Sequence, residues 1–422
     1  MRILLLTQIV PYPLDSGPKI KTYHVLRYLS QHHEVHLVSF VRSTGELAHA
    51  ESLRRFCQSV TAVPLRRSRI RDAAYLMRGL VVGRPFLIER DDSAAMRRAI
   101  RELMGQHAFD AVHADQLSMA QFAEHLPLPL RVLDEHNAVW AIVRRAAEHA
   151  GVGAGRLLAE LEWRRLRAYE GDVCRSFDRV VVVSEQDRAV LESAAGERIS
   201  ARVIPIAVDT KEWAFAPRLP EARHVVSVAT MFYPPNAEGI RWFARDVFPL
   251  VRQALPGVTF YAVGSRPPRS MTRLASRTNG VVITGYVADL APVLRQSAVL
   301  VVPLHSGSGM RVKILEAFAR GIPVVATTVG AEGIDARHGE HLLVADDPKD
   351  FARAVIQVLR DPSEASRLAR AARAMIESHY DWRLALSGLD DVYAAGESTG
   401  LARALPSDDD GSIVAPRPAP DC

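Results

Sequence analysis

Short apolar runs alternate with stretches of helical spacing from the first residues of this chain to about residue 380. Arg2–Thr7 reads as a buried strand, and Ile20–Gln31 places Val25, Leu26 and Leu29 on one helical face. Glu34–Phe40 (EVHLVSF) alternates as a strand does, and further strands are predicted at Ala111–His113, Leu130–Asp134, Arg179–Ser184 and Arg202–Ile206. A long helix, Arg156–Phe177, precedes the strand at Arg179. After a polar, proline-containing stretch at Thr210–Arg223, the alternation restarts. It runs through a strand at His224–Ala229, a helix at Glu238–Leu255, strands at Val258–Val263 and Val281–Thr284, and a short helix at Leu290–Gln296. Strands Val299–Leu304, Val324–Thr327 and Leu342–Val344 follow, and helices Lys349–Leu359 and Pro362–His379 close the pattern.

Two successive βα arrays joined by a linker predict an α/β fold of two doubly wound, Rossmann-like domains facing a central cleft. Residues 1–209 form the first, 210–223 the linker and 224–379 the second. Residues 380–397 are expected to return as a helix to the N-terminal domain, and 398–422, rich in Pro, Asp, Ser and Gly, to form a disordered tail.

The 422 residues, 48% hydrophobic and 24% charged, suffice for two or three domains with substantial cores. Three scattered cysteines, Cys57, Cys174 and Cys422, argue against a disulfide framework or structural zinc and fit a reducing cytoplasm. The apolar N-terminus breaks at Pro11 and Pro13, which suits a first strand better than a signal peptide. No run reaches the ~18 apolar residues of a transmembrane helix. A net charge of +5 points weakly to anionic partners, but no nucleic-acid-binding signature accompanies it.

The candidate chemistry concentrates in LVVPLHSGSGMRVKILEAFARGIPVVATTVGAEGI, Leu300–Ile334. A strand breaks into the loop His305-Ser306-Gly307-Ser308-Gly309, a helix carrying Arg311, Lys313 and Glu316 follows, and a second strand completes a βαβ unit. Helix N-termini gather unpaired N–H groups, and glycines let an anion approach them. A carboxylate further along the helix suits the hydroxyls of whatever carries the phosphate. The unit reads as a phosphate-and-polyol cradle.

Several pieces in this order resemble the group 1 (family 4) retaining glycosyltransferases of GT-B architecture, over about residues 1–395. They are the glycine loop before KIKTYHVLRYLSQHHEVHLVSF, the HN of Asp134–Asn137, VIPIAVD at Val203–Asp209, ITGYVADL at Ile283–Leu290, and GMRVKILEAFARGIPVVATTVGAEGI. The opening MRILLLTQIVPYPLDSGPKIKTYHVLRYL is also similar to a subset linked to bacterial exopolysaccharide systems.

The resemblance implies a cytoplasmic transferase that works at the inner face of the cytoplasmic membrane. It would move a hexose-type sugar from a UDP- or GDP-linked donor to a saccharide or lipid-linked acceptor, with retention and without metal or cofactor. Glu316 falls where the family's second paired glutamate holds the ribose; the alternative is a helix-surface glutamate paired with Lys313 or Arg320. The first glutamate is replaced by Ser308, while Gly307 and Gly309 keep the backbone cradle. The family's early Arg and Lys are missing from ATMFYPPNAEG (Ala229–Gly239), so Lys313 or Arg311 become the candidates to neutralise the diphosphate. By the same resemblance Ser16, Gly17 and Lys19 form the acceptor-side loop, and His136 lies near the transferred sugar or acceptor. Gly264, Gly285, Tyr286 and Val287 would line the base, and Glu332 could add a polar contact.

Arg66, Arg67, Arg69, Arg71 and Arg78 intersperse with Ile70, Tyr75, Leu76, Met77 and Leu80, a pattern fitting either an anionic membrane surface or an ordinary solvated helix. Two other functions remain open from sequence: a sugar-nucleotide 2-epimerase, and a catalytically silent nucleotide-sugar-binding scaffold.

Overall fold

Seven parallel strands build the N-terminal sheet in the order β3-β2-β1-β4-β5-β6-β7. They are β1 (Arg2–Thr7), β2 (Glu34–Val41), β3 (Ser59–Pro64), β4 (Ala111–Asp115), β5 (Leu130–Glu135), β6 (Arg179–Val182) and β7 (Ala201–Val203). A second parallel sheet, ordered β10-β9-β8-β11-β12-β13, contains β8 (His224–Val228), β9 (Thr259–Val263), β10 (Val281–Gly285), β11 (Ser297–Val302), β12 (Val324–Ala326) and β13 (Leu343–Val344). The computed structural model describes residues 1–148, 153–216, 218–219, 221–275, 279–287, 290–307 and 309–394. The expected tail at 398–422 and Ser308 both lie outside the described residues.

The period-two alternation explains how the first sheet is covered on both faces. Leu4, Leu6, Val38 and Phe40 pack into one core, while Ile3, Leu5, Val35 and Leu37 pack into the core on the other face. Strand β11 is buried at every residue, as expected of a central strand in a doubly covered sheet. This is the α/β architecture of two parallel sheets expected from the sequence.

Some elements differ from the sequence reading. The helix expected at Glu238–Leu255 begins earlier, at Pro234–Trp242, and is interrupted by a wide turn, Phe243–Val247, before Phe248–Ala254. Pro249 supplies the reason: it lacks the N–H needed for a regular ladder, so the preceding turn opens. Strand β3 was not foreseen because it is an edge strand in which Val63 alone is buried.

The two sheets are linked by two chain crossings that meet. Val208 bridges Asp381; its N–H donates to the Tyr380 carbonyl (2.9 Å), and its own carbonyl accepts from the Trp382 N–H (3.0 Å). Beyond this point Trp382, Leu386, Leu389, Val392 and Tyr393 pack with Ile3 and Leu5 in the N-terminal core. Asp209 fastens the junction. Its carboxylate accepts from Arg27 (2.9 Å), the Lys211 N–H (3.0 Å) and the Trp382 indole (3.2 Å). Burial alone would raise this carboxyl, but the Lys211 N–H and Arg27 outweigh it and bring it to about 2.

A folded-state value below the unfolded one means this stabilisation is present above the unfolded value and fades as pH falls through the folded one. Asp209→Ala should therefore lower stability by about 2 kcal/mol at neutral pH, the scale of hydrogen bonds to a charged group. In chemical denaturation, the gap from wild type should persist down to about pH 4 and close below it. An equal midpoint for both proteins at neutral pH would show that the junction does not depend on Asp209.

Candidate active site

Strand order determines where the chain leaves a crevice. In the first sheet it reverses between β1 and β4, and in the second between β8 and β11. Loops at such a reversal diverge, and the gap at the strands' carboxyl ends is where ligands bind. The loops after β1 and β4 contain Ser16-Gly17 and Gln116; the loop after β11 is His305–Gly309.

These ends face one another. An added Cβ on Gly17 would stand 3.2 Å from Val312, the first residue of the helix Val312–Arg320. Asn137, which follows β5, presses its amide oxygen against Gly309 so closely that a Cβ there would lie 1.8 Å from it. Gly309 also has φ +84°, so both backbone and space require glycine. Arg145, from the helix Val139–Glu148, donates to the Gly307 carbonyl (2.6 Å) and pairs with Glu332 (3.2 Å). Gln186 donates to the same Glu332 (2.9 Å).

The glycine loop is thus clamped from the opposite domain. Asn137 was visible only as part of the HN motif, and Arg145 and Gln186 carried no sequence signal. Their role arises from pairing across the cleft.

On the helix itself, Arg311 is the N-cap, and its guanidinium turns back beneath the loop, 3.3 Å from the Cβ position of Gly307. Lys313 makes no ion pair among the described residues, and burial, followed by repulsion from Arg311, brings it down from 10.5 to about 7. Glu316 accepts from Arg320 Nε at 3.0 Å, the surface pairing weighed from the sequence, although both side chains are largely buried. Burial raises the Glu316 carboxyl, and Arg320 partly offsets the rise. One helix therefore carries a lysine brought down to about 7 and a largely buried carboxylate within its first two turns.

The proposed base-lining residues lie along β9 and β10. Gly264 donates to the Gly285 carbonyl (2.9 Å), and a Cβ on Gly264 would meet the Ala229 carbonyl oxygen at 1.6 Å. Close packing of loop on loop thus dictates glycine there. Tyr286 is exposed, whereas Val287 packs against the core beneath the glycine-loop helix. On the acceptor side Lys19 is held by Asp15 (2.9 Å), and Ser16 caps the first helix without a side-chain bond.

Behind the facing loops lies a buried polar cluster. Asp115 and Asp134 are directly opposed at the ends of β4 and β5. Lys21 pairs with Asp134; burial alone would raise that carboxyl, but Lys21 and then His113 hold it well below the carboxylate range. Asp115 accepts from the Thr22 hydroxyl and lies 2.9 Å from His136 Nε2. Asp115, Asp134 and His136 bring ligand-type atoms within 4.8 Å of one another. Lys21 already pairs with Asp134 and Thr22 donates to Asp115, so both carboxylates have partners within the protein. Glu170, also buried, accepts the Val139 and Trp140 N–H groups (2.7 and 2.8 Å) and so anchors the start of the helix bearing Arg145.

Residues 222–361 match the family model "Glycosyl transferases group 1". Over 398 residues the chain is 22% identical to an uncharacterized 44.6 kDa protein in the cps region of Klebsiella pneumoniae, covering 92% of this chain and 98% of that one. It is 27% identical over 264 residues to a glycogen synthase of Mycobacterium tuberculosis, covering 60% and 61%. Among solved structures, Anabaena Alr3699/HepE in complex with UDP and glucose superposes with a TM-score of 0.66 at 15% identity, covering 94% of this chain and all (100%) of that one. With its two parallel sheets and its glycine-loop helix, this chain is a glycosyltransferase of GT-B architecture whose residues 222–361 match the group 1 family.

Proposed function

We propose that this enzyme transfers a hexose-type sugar, with retention and without a metal, from a UDP- or GDP-linked donor to a saccharide or lipid-linked acceptor in cell-surface polysaccharide synthesis. The observation that carries this reading is the helix Val312–Arg320, which sets Lys313 and Glu316 behind a glycine loop gripped by the opposite domain. The similarity to a protein of a Klebsiella cps region supports the polysaccharide context, and HepE with UDP and glucose supports a nucleotide-sugar donor.

In this mechanism the loop amides and Lys313, with Arg311 beneath the loop, offset charge developing on the departing diphosphate. Glu316 exchanges part of its Arg320 pairing for the two ribose hydroxyls, which a carboxylate accepts well. Gly17 lets the acceptor-side loop come close to the reacting sugar, and His136 contacts that sugar or the acceptor.

The exposed face of Arg69–Val82 suits lipid-linked acceptors. Ile70 (84% exposed), Met77 (61%) and Val81 (84%) stand out along it, and Arg66, Arg69 and Arg71 are exposed on the same segment. Apolar side chains interspersed with arginines match an anionic bilayer surface. No helix among the described residues is long and apolar enough to cross a membrane.

Glu316→Ala should weaken binding of UDP-glucose or GDP-mannose, whichever the wild type binds, by more than about 1 kcal/mol. Unchanged affinity in a folded variant would reject the ribose assignment. Lys313 is largely neutral above about pH 7, and an incoming diphosphate restores its ammonium. Donor binding at about pH 8 should then take up protons, read by calorimetry in buffers of different ionisation enthalpy. Lys313→Ala should abolish the uptake and lower kcat more than affinity; uptake that survives the substitution would remove Lys313 from the site. Sedimentation with phosphatidylglycerol vesicles should capture the wild type and lose a variant carrying Ile70→Ser, Met77→Ser and Val81→Ser. Equal capture of both would place membrane contact elsewhere.

A further inference from the structure

His136 points one ring nitrogen at a carboxylate and leaves the other without a partner. Its Nε2 lies 2.9 Å from Asp115 Oδ1, while Nδ1 is buried with no hydrogen-bond partner among the described residues. An ionised carboxylate only accepts hydrogen bonds, so the proton between the two belongs on Nε2. In the neutral ring that leaves the lone pair on Nδ1. A buried acceptor left unsatisfied by the protein is costly unless something else supplies its donor.

The surroundings keep Asp115 available for this task. Lys21 is committed to Asp134, and His113 lies between Asp134 (3.4 Å) and the Tyr393 hydroxyl (2.8 Å). The Thr22 hydroxyl, on the helix that starts at Gly17, lies 2.9 and 3.0 Å from the two oxygens of Asp115 and 2.8 Å from the Pro18 carbonyl, which share its one proton. Glu135, on the same strand end, is buried, and its burial, followed by Glu170, raises its carboxyl well above the ordinary value. Asn137, the next residue after His136, is the one pressed on Gly309. The ring therefore sits one residue from the place where the two domains meet over the glycine loop.

We propose that Asp115 is a positioning residue that holds His136 as its Nε2–H tautomer, so that Nδ1 accepts a hydrogen bond from a sugar hydroxyl in the cleft. The role in turnover rests on the transferase reading above; the tautomer does not. Asp115 is absent from the sequence-level candidates because its partner lies on a neighbouring strand, 21 positions away.

Histidine-selective 15N spectra test the proposal, with the His136 signals identified by their loss in His136→Gln. The wild type should show a protonated Nε2 and an unprotonated Nδ1, and the Nδ1 signal should move on adding UDP-glucose or GDP-mannose together with a glycolipid extract. Asp115→Ala should mix the tautomers and lower kcat at least tenfold, with donor affinity changed less than twofold. A protonated Nδ1 in the wild type overturns the proposal even if the variant fails to fold. So does a variant whose tautomer or kcat is unchanged, or one whose kcat and donor affinity fall together, as a merely structural clip would require. Failure of the transferase reading is distinguishable: the wild type would bind donor without turnover. Under that outcome an Nδ1 signal indifferent to added sugar overturns the contact as well.

Discussion

The carboxylate of Asp209 ties together three parts of the chain that have no reason to meet in sequence. They are Arg27 on the first helix, the backbone of Lys211 at the start of the linker, and the indole of Trp382 on the returning segment. Both connections between the two sheets pass this point, where Val208 and Asp381 bridge each other. Two crossings in contact define an axis rather than a free tether. The facing of the two sets of strand ends, and hence every contact across the cleft, depends on that axis. Its groups are well buried and multiply bonded, so its disruption is costly.

The far side of the cleft is built differently. Arg145 and Glu332 are each partly exposed, at 36% and 23%, and a pair of that kind contributes only about 0–1 kcal/mol. Gln186 and Asn137 add neutral contacts of modest strength. The two sides of the cleft are thus held by contacts of different kinds, a buried carboxylate at the junction and partly exposed side chains at the glycine loop. Arg145 also delivers a cation to the glycine loop from the N-terminal domain, where the segment Ala229–Gly239 of the C-terminal domain has neither Arg nor Lys.

Burial tunes the chemistry between the junction and the glycine loop. Lys313 loses charge because it is desolvated beside Arg311, and Glu316 is shielded enough for its carboxyl to rise despite Arg320. Both residues are thus shifted from their ordinary values by the fold itself. In the N-terminal domain, the opposed carboxylates of Asp115 and Asp134 are tolerated because Lys21 and Thr22 of one helix take one each. That division leaves His136 to Asp115 alone.

Local pattern determined most of the fold. The apolar run of Arg2–Thr7, the alternation of Glu34–Phe40, the helical spacing after Gly17 and the punctuation at Gly321-Ile322-Pro323 are effects of near neighbours, and a sequence displays them directly. For the same reason the glycine loop and its helix could be read from sequence, and Arg311, Lys313 and Glu316 placed on it. The edge strand at Ser59–Pro64 and the break at Phe243–Val247 escaped because one lacks a buried face and the other is a hydrogen-bond adjustment ahead of Pro249. What only the tertiary structure decided is who meets whom: Asn137 on Gly309, Arg145 on Gly307, Asp115 on His136, Tyr393 on His113. These pairs lie 21 to 280 positions apart, and spacing along a chain carries no information about contacts made by packing distant segments together.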